Sequence, residues 1–332
     1  MARDSEAPDR SLPSFTAIIP VHPDVETCAA LGALAEVDYP PEKFDVLVAK
    51  GGQPSIQRNR AAEVATGDIL YFLDDDSIPQ PGLFRQVAPL FLDDRVAAVS
   101  GPNLAAATGS ILERAVGTVL GSRFGTYRIK ARYTADGEMR EASETDIILC
   151  NLCMRREFFL RCGGFNELLY PNEENELFRR IRQRHPDVRI LYDPDAAVFR
   201  QRPRSIRGYV RKIFNYGRGR MLQTMVRPDP RSAVFLLPSC LLLYLAALPF
   251  LVTKLGGWPL VPLGVYAALD VLAALGHGFG ERSLRMVLLL AVLYPLTHLS
   301  YAAGLLFEAL ARMLRRRRTA PTSVEIVPWK GK

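Results

Sequence analysis

The 332 residues carry 42 Lys+Arg against 35 Asp+Glu, a formal charge of +7, and 48% of them are hydrophobic. That length implies about two structural units, and near-average charge with a mean hydropathy just above zero implies unevenly placed apolar residues. A disordered chain, a collagen-like repeat and a small disulfide scaffold are excluded, since the five cysteines (Cys28, Cys150, Cys153, Cys162 and Cys240) are too few and too scattered for a disulfide framework.

Residues 1–13 form a charged tail without the apolar core of a signal peptide, which places this end in the cytoplasm. Residues 14–200 read as an α/β domain. FTAIIPV (15–21), FDVLVA (44–49) and DILYFL (68–73) have the short apolar runs of buried parallel strands, and they alternate with helical stretches over 26–36 and 56–65. This is the βαβ pattern of a Rossmann-like, mostly parallel sheet. Residues 201–231 are strongly basic, with Ile206, Tyr209, Val210, Ile213 and Phe214 at helical spacing. Such a basic amphipathic helix lies well on an anionic membrane surface. Nucleic-acid binding, the rival reading of the charge, is set aside because the uncharged apolar run over 233–253 follows at once, long enough to cross a bilayer.

Two more apolar runs, 258–276 and 286–306, complete a membrane region over 232–312, followed by a basic tail over 313–332. Arginines flank the first run, and Arg312 with the arginines at 315–318 follow the last. The positive-inside rule then places both ends in the cytoplasm, which requires an even number of crossings. Either the third run, interrupted by Pro295, is re-entrant or interfacial, or the rule fails here. The location implied is a bacterial-type inner membrane, multi-pass, with the α/β domain in the cytoplasm.

The densest local signal is Asp74-Asp75-Asp76, at the carboxyl end of the strand ending at Leu73, where ligands bind in open α/β sheets. Crowded carboxylates are costly unless a cation or donor offsets them. Oxygen-only ligands favour a hard ion, Mn²⁺ or Mg²⁺, that also takes phosphate oxygens from a substrate. A solvated acidic turn before Pro79 is the plain alternative.

Around that turn stand Arg58-Asn59, Gly67-Asp68, Cys162-Gly163-Gly164-Phe165, Asn172-Glu173-Glu174-Asn175-Glu176-Leu177, Arg202-Pro203-Arg204-Ser205 and Tyr216-Gly217-Arg218-Gly219-Arg220. In this order the set resembles the family 2 glycosyltransferases with a GT-A fold. It is most similar to membrane-anchored members that build exopolysaccharide, of the succinoglycan glucosyltransferase type. The resemblance implies an inverting, metal-dependent transfer from a nucleotide-diphosphate sugar to a lipid-linked (polyprenyl-diphosphate) saccharide. Transfer to polyprenyl phosphate, and a non-catalytic membrane scaffold, are the alternatives.

It also implies roles. Asp76 is the main metal ligand, Asp74 contacts the ribose or the metal, and Asp75 lies near the sugar. Arg58 holds phosphates, and Arg204 shares that work beside Gln201. Pro20, Val21 and His22 line the nucleotide pocket through the backbone. Glu174 falls where the family has its catalytic base, with Glu173 the next candidate; an acidic first turn that merely complements a helix dipole is the alternative. Lys50 stands near the position of the usual nucleobase-reading Asp, and Gly51 beside it permits a close backbone approach, which leaves UDP- and GDP-type donors both open. The Cys150-x-x-Cys153 pair lies in an apolar run and reads as buried structural cysteines.

Overall fold

A computed structural model of the chain describes residues 12–106, 109–135, 137–226, 228, 230–280, 282–314 and 323–329. Residues 1–11 of the expected tail, Arg227, Asp229 and the arginines at 315–318 lie outside the described residues.

The strands in chain order are β1 (Phe15–Val21), β2 (Phe44–Lys50), β3 (Ile69–Leu73), β4 (Ser77–Pro79), β5 (Val96–Ser100), β6 (Asn103–Ala105), β7 (Arg140–Glu141), β8 (Asn151–Arg155), β9 (Arg189–Tyr192), β10 (Val198–Arg200) and β11 (Glu325–Pro328). The helices are α1 (Ala29–Leu34), α2 (Pro54–Val64), α3 (Leu83–Val87), α4 (Ile111–Leu120), α5 (Arg123–Thr126), α6 (Arg156–Arg161), α7 (Glu173–Arg184), α8 (Ile206–Val226), α9 (Leu237–Leu255), α10 (Leu260–Gly280) and α11 (Leu284–Leu314).

Eight strands form the central sheet in the order β11-β2-β1-β3-β8-β5-β9-β7. β2, β1 and β3 are parallel as the βαβ pattern predicts, while β8 enters antiparallel between β3 and β5, so the sheet is mixed. Alternation along β3 fills both faces: Leu70 and Phe72 pack on one core with Phe159 and Phe165, and Ile69, Tyr71 and Leu73 on the other with Phe15 and Phe84. The helix predicted over 26–36 is reduced to α1, because Cys28 is still extended and Ala30 N–H donates to the carbonyl of Asp75. That bond ties the start of α1 to the acidic turn.

A smaller sheet, β4-β10-β6, stands against the carboxyl end of β3. Its antiparallel register sets Arg200 opposite Ser77, the residue after Asp76.

The three predicted apolar runs are α9, α10 and α11, each long and apolar enough to cross a membrane. α11 is 31 residues long and continues through Pro295. Unlike α9 and α10, it is buried along one side from Met286 to Glu308, packed on α4 of the α/β domain and on α8. Gly217 and Gly304 make that crossing close. A Cβ on Gly217 would lie 2.1 Å from the carbonyl oxygen of Tyr301, and one on Gly304 2.0 Å from that of Phe214. Within the segment expected as a basic tail, β11 pairs antiparallel with β2, so the chain returns to the edge of the central sheet.

Candidate active site

The site gathers at the carboxyl ends of β1, β2 and β3. Arg58, on α2 and 3% exposed, donates from Nη2 to Asp74 Oδ1 at 2.6 Å and from Nη1 to Glu173 Oε1 at 2.8 Å. Its neighbour Asn59 accepts from the Phe165 N–H and donates to the Phe165 carbonyl, both at 2.9 Å. Gly164, at φ +63°, closes that contact, since a Cβ there would meet Asn59 Oδ1 at 2.6 Å. Arg58-Asn59 therefore joins the two halves of the site: Arg58 binds the acids, and Asn59 docks the Gly163-Gly164-Phe165 turn that leads into α7. The stereochemical need for glycine is the signal that the sequence carries for that turn.

Asp74 is held twice. Arg58 takes one carboxylate oxygen, and Arg200 Nη1 donates to the other at 2.9 Å. These two arginines keep its carboxyl below the ordinary range although burial opposes them. Arg200 also forms an ion pair with Asp76. Asp75 carries the opposite shift, raised by burial and then by Asp76 and Asp74. Sequence reasoning assigned Arg200 no place among the site residues; its position comes from the β10–β4 register, which no local pattern announces.

Glu173 and Glu174 open α7, and both are buried. Glu173 faces Arg58. Burial raises its carboxyl above the ordinary range, with Glu174 and Asp74 adding to the rise and Arg58 opposing it. Glu174 accepts from Arg132 Nη1 and Asn175 Nδ2, both at 3.2 Å. Arg132 also binds Asn175 Oδ1 at 2.6 Å, which makes this a fixed network. Glu176 is tied to Arg180 on the next turn.

Other expected residues are dispersed. Pro20 and Val21 are buried in β1, and the Val21 carbonyl receives Gly51 N–H and Gln57 Nε2. His22 is 67% exposed beside Asp24. Lys50 ends β2 opposite Glu325 of β11, and the Ser323 carbonyl lies 3.3 Å from where a Gly51 Cβ would be. Arg204 is 73% exposed, donating to Gln201 and facing Glu113 at 3.7 Å. The structure does not bring Arg204 or Gln201 to the acids. Cys150 and Cys153 are buried and free, and burial raises both thiols, which suits a structural role.

A cavity of about 1230 Å³ opens from Arg58, Asp74, Glu173 and Glu174 and reaches Phe235, Leu237, Pro238 and Tyr301 on the apolar helices. Arg211, Lys212, Arg218 and Arg220 of α8 line it as well. Burial lowers the Lys212 ammonium from its ordinary range. The basic helix predicted for a membrane surface thus turns part of its charge inward.

Among the described residues no three His, Cys, Asp or Glu side chains are grouped to hold a metal ion. Asp74 and Asp76 nevertheless fit a hard cation that takes its remaining ligands from phosphate and water. Asp76 Oδ1 is buried and accepts no hydrogen bond, leaving its charge to the ion pair with Arg200.

The sequence pattern of the family described as "Glycosyltransferase like family 2" matches residues 11–218. The chain belongs to that family. Among solved structures, this glycosyltransferase is similar to a mannosyltransferase, PcManGT from Pyrobaculum calidifontis in complex with GDP-Man and Mn²⁺. The TM-score is 0.51 and the identity 19%, over 91% of this chain and 88% of that one. A structure of S. aureus TarS 1-349 in complex with UDP-GlcNAc matches at 13% identity and a TM-score of 0.44, over 92% and 93% of the two chains. No curated protein sequence matches. The family membership and the first of these structures agree with the mixed α/β, GT-A-like fold of this glycosyltransferase, which three apolar helices follow in the chain.

Proposed function

We propose that the protein transfers one sugar from a nucleoside-diphosphate sugar to a lipid-linked saccharide at the cytoplasmic face of a membrane, in cell-surface polysaccharide synthesis. The cavity carries this reading. Its lining joins the acids and Arg58 to four cations of α8 and to apolar side chains of the membrane helices. That combination of acidic, cationic and apolar walls suits a sugar, a diphosphate and a polyprenyl chain. At about 1230 Å³ the space exceeds an ordinary small-molecule pocket.

In this reading the transfer is a single, inverting displacement. The acceptor hydroxyl attacks the anomeric carbon and gives its proton to a carboxylate. The bond from that carbon to the nucleoside diphosphate breaks, and the electron pair leaves with the phosphate. Glu173 is the better placed base, because it shares Arg58 with Asp74 while Glu174 is committed to Arg132 and Asn175. A Mn²⁺ or Mg²⁺ ion held by Asp76 and Asp74 would neutralise charge on the leaving diphosphate.

The domain plan is a catalytic unit over 14–200, the basic helix over 201–231 and the membrane region over 232–312. Pairing of β11 with β2 supports an even number of crossings, since α9 leaves from the catalytic side and β11 returns to it. The intervening arginines at 315–318 are too polar to recross.

The test is nucleoside-diphosphate release by the protein in lipid nanodiscs. UDP-, GDP- and dTDP-sugars are supplied with Mn²⁺ or Mg²⁺, with and without a lipid-linked acceptor extract, beside Asp76→Asn. Release with one donor that depends on extract and metal, and is absent in the variant, supports the reading. Silence across the panel, with the extract active on another enzyme, refutes it.

A further inference from the structure

Two of the three aspartates of the acidic turn, Asp74 and Asp76, are already paired with cations that the chain itself supplies. Arg58 and Arg200 occupy both oxygens of Asp74, and Arg200 also bridges to Asp76. Arg200 is not a surface side chain that happens to lean inward. The β10–β4 register places it opposite Ser77, one residue beyond the turn, and β10 is held on its other edge by β6. Its side chain is 14% exposed, and its Nε has no hydrogen-bond partner. A buried guanidinium with one N–H unspent, set between two carboxylates, is costly to leave unpaired and ready to take another anion.

We propose that Arg200 is a resident counter-cation that competes with the divalent ion for Asp74 and Asp76, so that metal and nucleotide must bind together. This rests on the reading of those aspartates as metal ligands. While the guanidinium bridges them, both oxygens of Asp74 are taken and the charge of Asp76 is paired, so a free divalent ion gains little. When a nucleoside diphosphate enters, its phosphates offer Arg200 a new anion within the same buried pocket, and the carboxylates are released to ligate. Guanidinium exchanges carboxylate for phosphate, and the net charge buried in the site stays near balance throughout. An acidic turn without this arginine would load metal first and nucleotide second; with it, each ligand is weak alone and tight in the presence of the other.

The inference is tested by Mn²⁺ binding to the full-length protein in nanodiscs, read by electron paramagnetic resonance of the free ion, without turnover. In the wild-type protein, saturating UDP or GDP is expected to tighten Mn²⁺ binding by about tenfold or more. Arg200→Gln is expected to bind Mn²⁺ about tenfold more tightly than wild type without nucleotide, and to lose most of the nucleotide effect. Arg200→Lys keeps the charge but not the bridge, and is expected to fall between the two. Should Arg200→Gln not fold, the wild-type coupling and the lysine variant carry the test. Equal Mn²⁺ affinity in wild type and variants, with nucleotide still recruiting the ion, overturns the role of Arg200 alone. Absence of Mn²⁺ binding in every protein, with or without UDP or GDP, overturns it together with the assignment of the metal ligands.

Discussion

Arg58 and Glu173 meet at 2.8 Å inside the protein, 115 positions apart in the chain, and through the same guanidinium Glu173 is linked to Asp74. The acidic turn and the start of α7 therefore share one cation. Arg58 is what opposes the rise that burial imposes on the Glu173 carboxyl. Removing it as Arg58→Gln is expected to raise that carboxyl further. A base works deprotonated, so the rise of activity with pH should move to higher pH in the variant, and the loss of rate should be partly recovered at alkaline pH. The pH profile of nucleoside-diphosphate release checks this; an unshifted profile would show that Glu173 is not the titrating group.

Glu173 and Glu174 are adjacent but differently employed, which separates their variants. Glu173→Gln is expected to lower transfer by about 10²-fold or more, the scale of lost general-base catalysis, with donor binding retained. Glu174→Gln keeps an acceptor oxygen but removes the charge paired with buried Arg132, and is expected to act first on stability, lowering the unfolding temperature with a smaller fall in rate per folded molecule. Single-turnover rates beside thermal unfolding distinguish the two, and a reversed ranking would return the base to Glu174.

Much of this site is visible in the residues themselves, and the boundary of what is visible has a physical cause. The acidic turn, Arg58-Asn59, the double glycine and the acidic start of α7 are local patterns, each imposed by one turn or one helix end, and they come together as the family resemblance implies. What the chain does not display locally is long-range register. Arg200 reaches Asp74 because β10 pairs with β4, and Arg132 reaches Glu174 from a 3₁₀ segment 42 residues away. Arg204 has the same chemistry as Arg200 and lies four residues on, yet it faces outward at 73% exposure. No periodicity separates one arginine from the other. β11 was equally hidden, since a four-residue strand has no pattern apart from the edge it completes.

The crossing of α8 and α11 depends on the absence of a side chain at Gly217. A Cβ there would meet backbone, the Tyr301 carbonyl at 2.1 Å and Leu305 N at 3.0 Å, and backbone within a packed helix yields little. Gly217→Ala is therefore expected to cost about 1–3 kcal/mol despite the higher helix propensity of alanine. Gly276→Ala in α10, where nothing lies within 4 Å, is the control and should be neutral or slightly stabilising. Thermal unfolding in one detergent measures both. Because α8 lines the cavity, Gly217→Ala should also weaken acceptor use more than donor binding.

The pairing of β11 with β2 makes a claim about the membrane that can be measured apart from catalysis. Glu325 lies opposite Lys50 and Pro328 opposite Leu47, so the last described strand belongs to the catalytic sheet. Trp329 extends the contact, donating its N–H to the Val46 carbonyl and packing on the core beneath β2. A reporter fused after residue 332 should therefore stand on the same side of the membrane as one fused before residue 1, whichever of α9, α10 and α11 cross. Truncation after Leu314 should leave β2 as an exposed edge and lower the unfolding temperature, while a truncation that spares Trp329 should not. Reporters on opposite sides would require an odd number of crossings, and β11 could then not reach the sheet at all.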